Sequence, residues 1–155
     1  MIHNTPSFET KTPFSKKTCK YLSYQLPNGD HIRLPMLHVR LAHGDQSLST
    51  IGLIDSGSTT TTVPLEFAEI LSLPIEKEAS AVGAGGSFSN TIRKVDIILL
   101  KGRTSFAKFG KFPAYVPKEE GKVPYVVLGR DSIFRKFDVT FRERQQRFIL
   151  RGSKI

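Results

Sequence analysis

Tryptophan is absent from this chain of 155 residues, and cysteine occurs once, as Cys19. A lone cysteine cannot form an intrachain disulfide, which excludes a cross-linked secreted scaffold and points to a reducing setting. Long apolar runs are missing too. Ile97 to Leu100 and Val126 to Leu128 are of strand length, far below the roughly 18 residues that mark a membrane helix. The first twenty residues are polar and interrupted by Pro6 and Pro13, without the basic start and apolar stretch of a secretory signal. The expectation is a soluble, cytoplasmic chain with no membrane partner.

Negative charge is also scarce. Lysine and arginine number 23 against 14 acids, a formal net charge of +9, which attracts polyanions at low salt. The cations are spread over the N-terminal stretch (Lys11, Lys16, Lys17, Lys20), the middle (Lys101, Arg103, Lys108, Lys111) and the tail (Arg142, Arg144, Arg147, Arg151). Spread of that kind reads as solvated faces, so nucleic acid stands as an alternative partner and not the expected one. Phe106 to Phe112, with Lys108 and Lys111 between phenylalanines, is the one stretch with the look of a base-stacking surface. An irregular, half-buried strand accounts for it better.

One domain is expected from the length, with residues 1–18 as a flexible N-terminal arm or added edge segment and 19–155 as the folded unit. Strand-like stretches at Tyr21 to Leu26 and Ile32 to Leu41 flank the turn Pro27-Asn28-Gly29-Asp30, the pattern of a hairpin. After a turn at His43-Gly44-Asp45, the apolar strand Leu48 to Ile54 runs into Asp55-Ser56-Gly57. Thr59 to Val63 is β-branched and suits another strand. Pro64 opens a helix over Leu65 to Leu71, ended by Pro74. Beyond it come a glycine-rich hairpin from Val82 to Asn90, strands at Thr91 to Leu100, Phe112 to Val116 and Tyr125 to Leu128, a short helix or turn from Asp131 to Phe137, and a final hairpin of Val139 to Phe141 with Phe148 to Leu150. The fold class is mainly β: a single-lobe closed β-barrel with one or two short helices.

Asp-Ser-Gly alone is a turn tripeptide. Here it ends the apolar strand Ile51-Gly52-Leu53-Ile54, where an ionised carboxylate is costly unless paired or hydrogen-bonded. Gly57 permits close approach, and Ser56, Ser58 and Thr59 bring hydroxyls able to donate to Asp55. Ile54-Asp55-Ser56-Gly57-Ser58 resembles the catalytic loop of aspartic peptidases. Val82-Gly83-Ala84-Gly85-Gly86-Ser87-Phe88 resembles their glycine-rich flap, and Val126-Val127-Leu128-Gly129-Arg130-Asp131 resembles the segment that follows in the retropepsin-like, retroviral-type branch. Over residues 32 to 150 the three segments agree with that family in order and spacing.

The resemblance implies a fold of the aspartic peptidase type and an aspartic endopeptidase activity. One lobe and one triplet imply a homodimer, with catalytic Asp55 from each chain, Ser56 reaching the opposite loop, and Gly57 and Ser58 supporting the catalytic loop. Substrate would lie under a flap formed by Val82, Gly83, Ala84, Gly85, Gly86 and Phe88. Ser58, at a position where pepsin-like relatives carry a serine, is expected to donate to the Asp55 carboxylate and shift activity toward acid. Neither metal nor cofactor is implied, and the partner is a peptide or protein substrate. Retroviral members often carry an acid where this chain has Thr59, so the partner of Arg130 is left open between Asp131 and another acid. The alternative is a non-catalytic domain of the same fold that dimerises or binds peptide.

Competing motifs fail. Phe88 stands where a dinucleotide loop needs its third glycine after Gly83 and Gly85. Ile54 stands where a serine nucleophile elbow around Ser56 needs glycine. His3, His31, His38 and His43 show no metal-ligand spacing with Cys19 or each other.

Overall fold

The computed structural model describes residues 7–10, 16–83 and 85–152. Strands dominate them, with two short helices. The order is β1 (Ser7–Thr10), β2 (Lys16–Lys20), β3 (Leu22–Gln25), β4 (His31–Leu34), β5 (Met36–His43), β6 (Gln46–Ile54), α1 (Leu65–Ile70), β7 (Lys77–Gly83), β8 (Gly86–Lys101), β9 (Thr104–Pro117), β10 (Val126–Leu128), α2 (Ile133–Lys136), β11 (Phe137–Arg142) and β12 (Arg147–Gly152).

Seven strands form the main sheet, in the order β1-β9-β8-β5-β6-β10, with β7 on the early part of β8. Inward positions of β8 alternate as Val95, Ile97 and Leu99, all buried, as a sheet with one packed face requires. They meet Val39 and Leu41 of β5, Phe106, Phe109 and Phe112 of β9, and Val126 and Leu128 of β10 in a single core cluster. The phenylalanines of 106–112 are therefore core and not a stacking surface. β9 is irregular there as expected: its register with β8 shifts between Val95 and Ile97, and Lys111 takes φ 47.

The expected closed barrel is not found among the described residues, since the path of regular strands starts at β1 and ends at β10. Thr59 to Val63 is not a strand either. It is an irregular crossing in which Thr62 bridges both Val127 and Tyr115. The Thr62 amide donates to the Val127 carbonyl at 2.9 Å and the Val63 amide to the Tyr115 carbonyl at 2.9 Å. Thr62 is thus paired on both sides like a residue of a central strand, but for that one residue only, because Thr60 is drawn into the Asp55 loop, where the Ser58 hydroxyl donates to its carbonyl.

Two smaller sheets complete the fold. β3 and β4 pair around Gly29, whose φ of 92 fits the expected turn. β11, β12 and β2 form a three-stranded sheet. Within the segment expected as an arm, Ser7–Thr10 pair with β9, and the boundary drawn between 18 and 19 falls inside the continuous strand β2. Arg93 is buried. Its guanidinium donates to Thr91 Oγ1 at 3.0 Å and the Leu73 carbonyl at 3.2 Å, and lies 3.6 Å from Glu69, so the charge is compensated. No helix among the described residues is long and apolar enough to cross a membrane.

Candidate functional site

β6 and β10 run parallel, with Leu128 opposite Ile54. Their ends deliver two loops side by side, Asp55 to Thr60 and Gly129 to Ser132. The loops are bonded together: Asp55 donates its amide to the Leu128 carbonyl at 3.1 Å, and Arg130 donates its amide to the Ser58 carbonyl at 2.8 Å. Glycine at 129 is a steric requirement, because a Cβ there would overlap the Thr60 carbonyl.

The Asp55 carboxylate is half-buried, and Oδ1 accepts the Gly57 amide at 2.9 Å. That bond fixes the carboxylate relative to the turn that carries it. Ser58 reaches Asp55 only through its amide, which donates to the Asp55 main-chain carbonyl at 3.3 Å. Its hydroxyl donates to the Thr60 carbonyl at 2.7 Å, so the expected hydroxyl-to-carboxylate bond is replaced by a bond that tightens the loop. Ser56 is exposed. No second carboxylate bonds to Asp55 among the described residues.

Beneath the loop, Thr61 is fully buried. Its hydroxyl donates to Asp131 Oδ1 at 2.6 Å, lies 2.6 Å from Ser132 Oγ, and accepts the Gly129 amide at 3.2 Å. Asp131 is thereby taken up by Thr61 and does not cap α2, whose N-cap is Ser132. Burial pushes the Asp131 carboxyl up from the usual range, and the bonds from Thr61 pull it partly back. Arg130 is exposed and makes no ion pair among the described residues. Neither partner considered for it is used.

A cavity of about 690 Å³ lies between this loop and the β7–β8 hairpin. Gly57, Ser58, Thr59 and Thr60 form one wall, and Ala81, Val82, Gly85, Ser87 and Phe88 another. The segment after β9, including Lys118 and Lys122, forms a third. Asp55 stands just outside the lining. Two apolar side chains of the hairpin are open to solvent, Val82 at 84% and Phe88 at 41% exposure. Of the residues expected in a flap, Val82, Gly85 and Phe88 line the cavity, Gly83 pairs with Gly86 at the hairpin end, and Ala84 lies outside the described residues. The third wall is tied to the hairpin: Lys118 pairs with Glu78, and its amide donates to the Ser89 carbonyl at 3.2 Å.

Sequence reading missed Tyr125. Burial, then neighbouring Tyr24 and the Asp55 carboxylate, push its phenol up from the ordinary value. Its ring meets that of Tyr24 edge-on at 5.4 Å. No local pattern marks either tyrosine, because the β3–β4 hairpin joins them only through the tertiary fold. Thr61 was missed for another reason: in a run of four threonines, nothing local singles out the one that is buried.

No protein-family profile and no curated protein matches the chain. Among solved structures it is similar to EIAV protease bound to an inhibitor, with 21% identity, 74% of this chain and 93% of that one covered, and a TM-score of 0.48. It is also similar to a retropepsin-like aspartic protease from Rickettsia conorii (12% identity, 91% and 96% covered, TM-score 0.44). A third is the retroviral protease-like domain of Ddi1 from Leishmania major (16% identity, 72% and 85% covered, TM-score 0.43).

Proposed function

We propose that the chain is an aspartic endopeptidase whose active site is completed by a second copy of itself. The observation that carries this reading is Asp55, held by the Gly57 amide at the lip of a cavity that a glycine-rich hairpin borders. One chain supplies one carboxylate. A twofold axis beside Asp55 brings a second within a few ångströms, and a C2 interface does so reciprocally.

Two carboxylates so close do not both ionise, and the pair holds one proton. The ionised Asp55 takes a proton from a water lying between them, and the water oxygen attacks the peptide carbonyl. The protonated Asp55 gives its proton to the carbonyl oxygen, leaving a tetrahedral diol. Collapse of the diol breaks the C–N bond as the nitrogen takes a proton from the dyad. No acyl-enzyme forms. The exposed Val82 and Phe88 supply the apolar surface that an extended peptide in the cavity would cover, and the hairpin excludes water once closed.

Incubation with a diverse peptide mixture, with and without pepstatin, tests the reading. Asp55→Asn should leave the fold intact and reduce cleavage by roughly 10²- to 10⁴-fold. Undiminished cleavage in a contaminant-free preparation rejects Asp55. A folded wild-type protein that dimerises and cleaves nothing supports the non-catalytic alternative.

A further inference from the structure

Cations scattered along the sequence converge on the three-stranded sheet. Its register aligns Arg142 with Arg147 and Arg147 with Lys20, then Thr140 with Ile149 and Thr18, then Asp138 with Arg151 and Lys16. Side chains alternate across a sheet, so these three rows share a face. The intervening rows, with Phe148, Cys19, Leu150 and Phe137, join the core cluster. Lys17, on that inner side, lies over the Phe106 ring at 5.9 Å. The other face therefore points outward. Arg142, Arg147, Lys20, Arg151 and Lys16 are all exposed on it, against the single acid Asp138.

Lys108, Lys118 and Lys122 each pair with an acid, whereas none of the five makes an ion pair among the described residues. Like charges directly opposite one another on neighbouring strands destabilise a sheet, and the Arg142-Arg147-Lys20 row sets three side by side. An anion laid across the row relieves that cost.

The chemistry of the face selects the anion. It exposes no apolar side chain: Ile149, at its centre, is buried, where the stems of the flanking arginines and lysines can lie over it. Stable attachment to a membrane takes an apolar anchor beside the polybasic patch, which this face lacks. An acidic protein would need an aromatic or aliphatic anchor, and Phe141, the exposed aromatic of this sheet, belongs to the opposite set of rows. A second copy would set cations against cations. Single-stranded nucleic acid would need aromatic platforms. What the face offers is guanidinium and ammonium groups with two threonine hydroxyls between them, the groups that contact phosphodiesters. The outer rows are four residues apart, roughly 13 Å at strand rise, close to the roughly 12 Å width of the major groove.

We propose that the outer face of the β11–β12–β2 sheet binds the backbone of duplex nucleic acid without reading its bases. The cations come from both ends of the chain, so the surface exists only in the folded protein.

Fluorescence anisotropy with a labelled 20-base-pair duplex, from 50 to 200 mM NaCl, tests it. Wild type should bind at 50 mM, with log Kobs falling against log salt at a slope of about −2.7 to −4.5, the range for three to five phosphate contacts. Lys20→Gln/Arg147→Gln/Arg151→Gln should weaken binding at least tenfold and flatten the slope by about 2 to 3. Lys77→Gln/Lys101→Gln/Arg103→Gln removes the same charge from exposed positions elsewhere and should stay within threefold of wild type. Absence of wild-type binding, or equal losses in both triples, overturns the proposal. So does tighter binding to oligo(dT) or to phosphatidylserine vesicles than to the duplex. If the first triple does not fold, the single variants Lys20→Gln, Arg147→Gln and Arg151→Gln decide: a weakening of binding with a slope flattened by about 1 in each supports the proposal, and wild-type binding and slope in all three overturn it.

Discussion

Removing the Ser58 hydroxyl should cost stability without moving the pH profile. The hydroxyl serves the Thr60 carbonyl, so Ser58→Ala loses about 1 kcal/mol, readable as a lower urea midpoint. The acidic limb of kcat/KM should stay in place. A limb displaced toward neutral pH would put the hydroxyl on the carboxylate in the working dimer. Asp131 carries a pH dependence of opposite sense to that of an ion-paired acid. Burial raises its pKa above the ordinary 3.8, so the folded state holds a proton that the unfolded state has released. Its contribution is fully present below 3.8 and is lost as pH rises through the raised folded value. Asp131→Asn keeps an acceptor for the Thr61 hydroxyl and removes the ionisation. The variant should be more stable than wild type at pH 7, and the gap should close at pH 3 to 4. A constant gap across that range would reject burial as the cause. Asp55 was legible because its neighbours form a recognisable triplet. The Ser58 bond was not, since direction is set by which oxygen the fold brings within reach.

At the scale of elements, the β7–β8 hairpin separates two glycines that sequence alone treats as a pair. Gly86 has a φ of 110, a conformation that costs an L-residue about 1–2 kcal/mol. A Cβ on Gly85 meets only the edge of the Phe88 ring, at 3.4 Å, an ordinary contact. Gly86→Ala should therefore lower both hairpin stability and turnover, while Gly85→Ala should leave stability within about 0.5 kcal/mol of wild type. Hydrogen exchange of the hairpin amides and single-turnover cleavage read the two effects separately. Equal effects would mean that φ at 86 is not what constrains the hairpin. Most strands were legible, because period-two burial and turn residues such as Gly29 and Gly44 are local signals. Thr59 to Val63 was not. Its β-branched composition suits a strand, but the ladder is cut to the single residue Thr62 by the loop that holds Thr60 on one side and by Pro64, which has no amide to give, on the other.

For the whole molecule, the sequence showed one lobe and one triplet. It could not show that five dispersed cations share a face, which depends on the register of β2 with β12 and of β12 with β11. Nor could it show that the regular strands leave an open path. The proposed dimer has an arithmetic signature. With Asp55→Asn and wild-type subunits mixed equally and fully exchanged, about one quarter of dimers hold two intact aspartates. Specific activity should fall to about a quarter, and a fall to one half would place the whole site in one chain. The parallel pairing of β6 with β10 has a consequence for biosynthesis. The amide of Asp55 and the carbonyl of Ser58 find their partners in Leu128 and Arg130, which lie in the last fifth of the chain. The β7–β8 hairpin can close from neighbouring residues, whereas the aspartate loop must wait for a long-range closure that is slow to form. A nascent chain thus carries Asp55 through roughly half of its synthesis on a loop that has its local bonds but not yet its partners in and after β10.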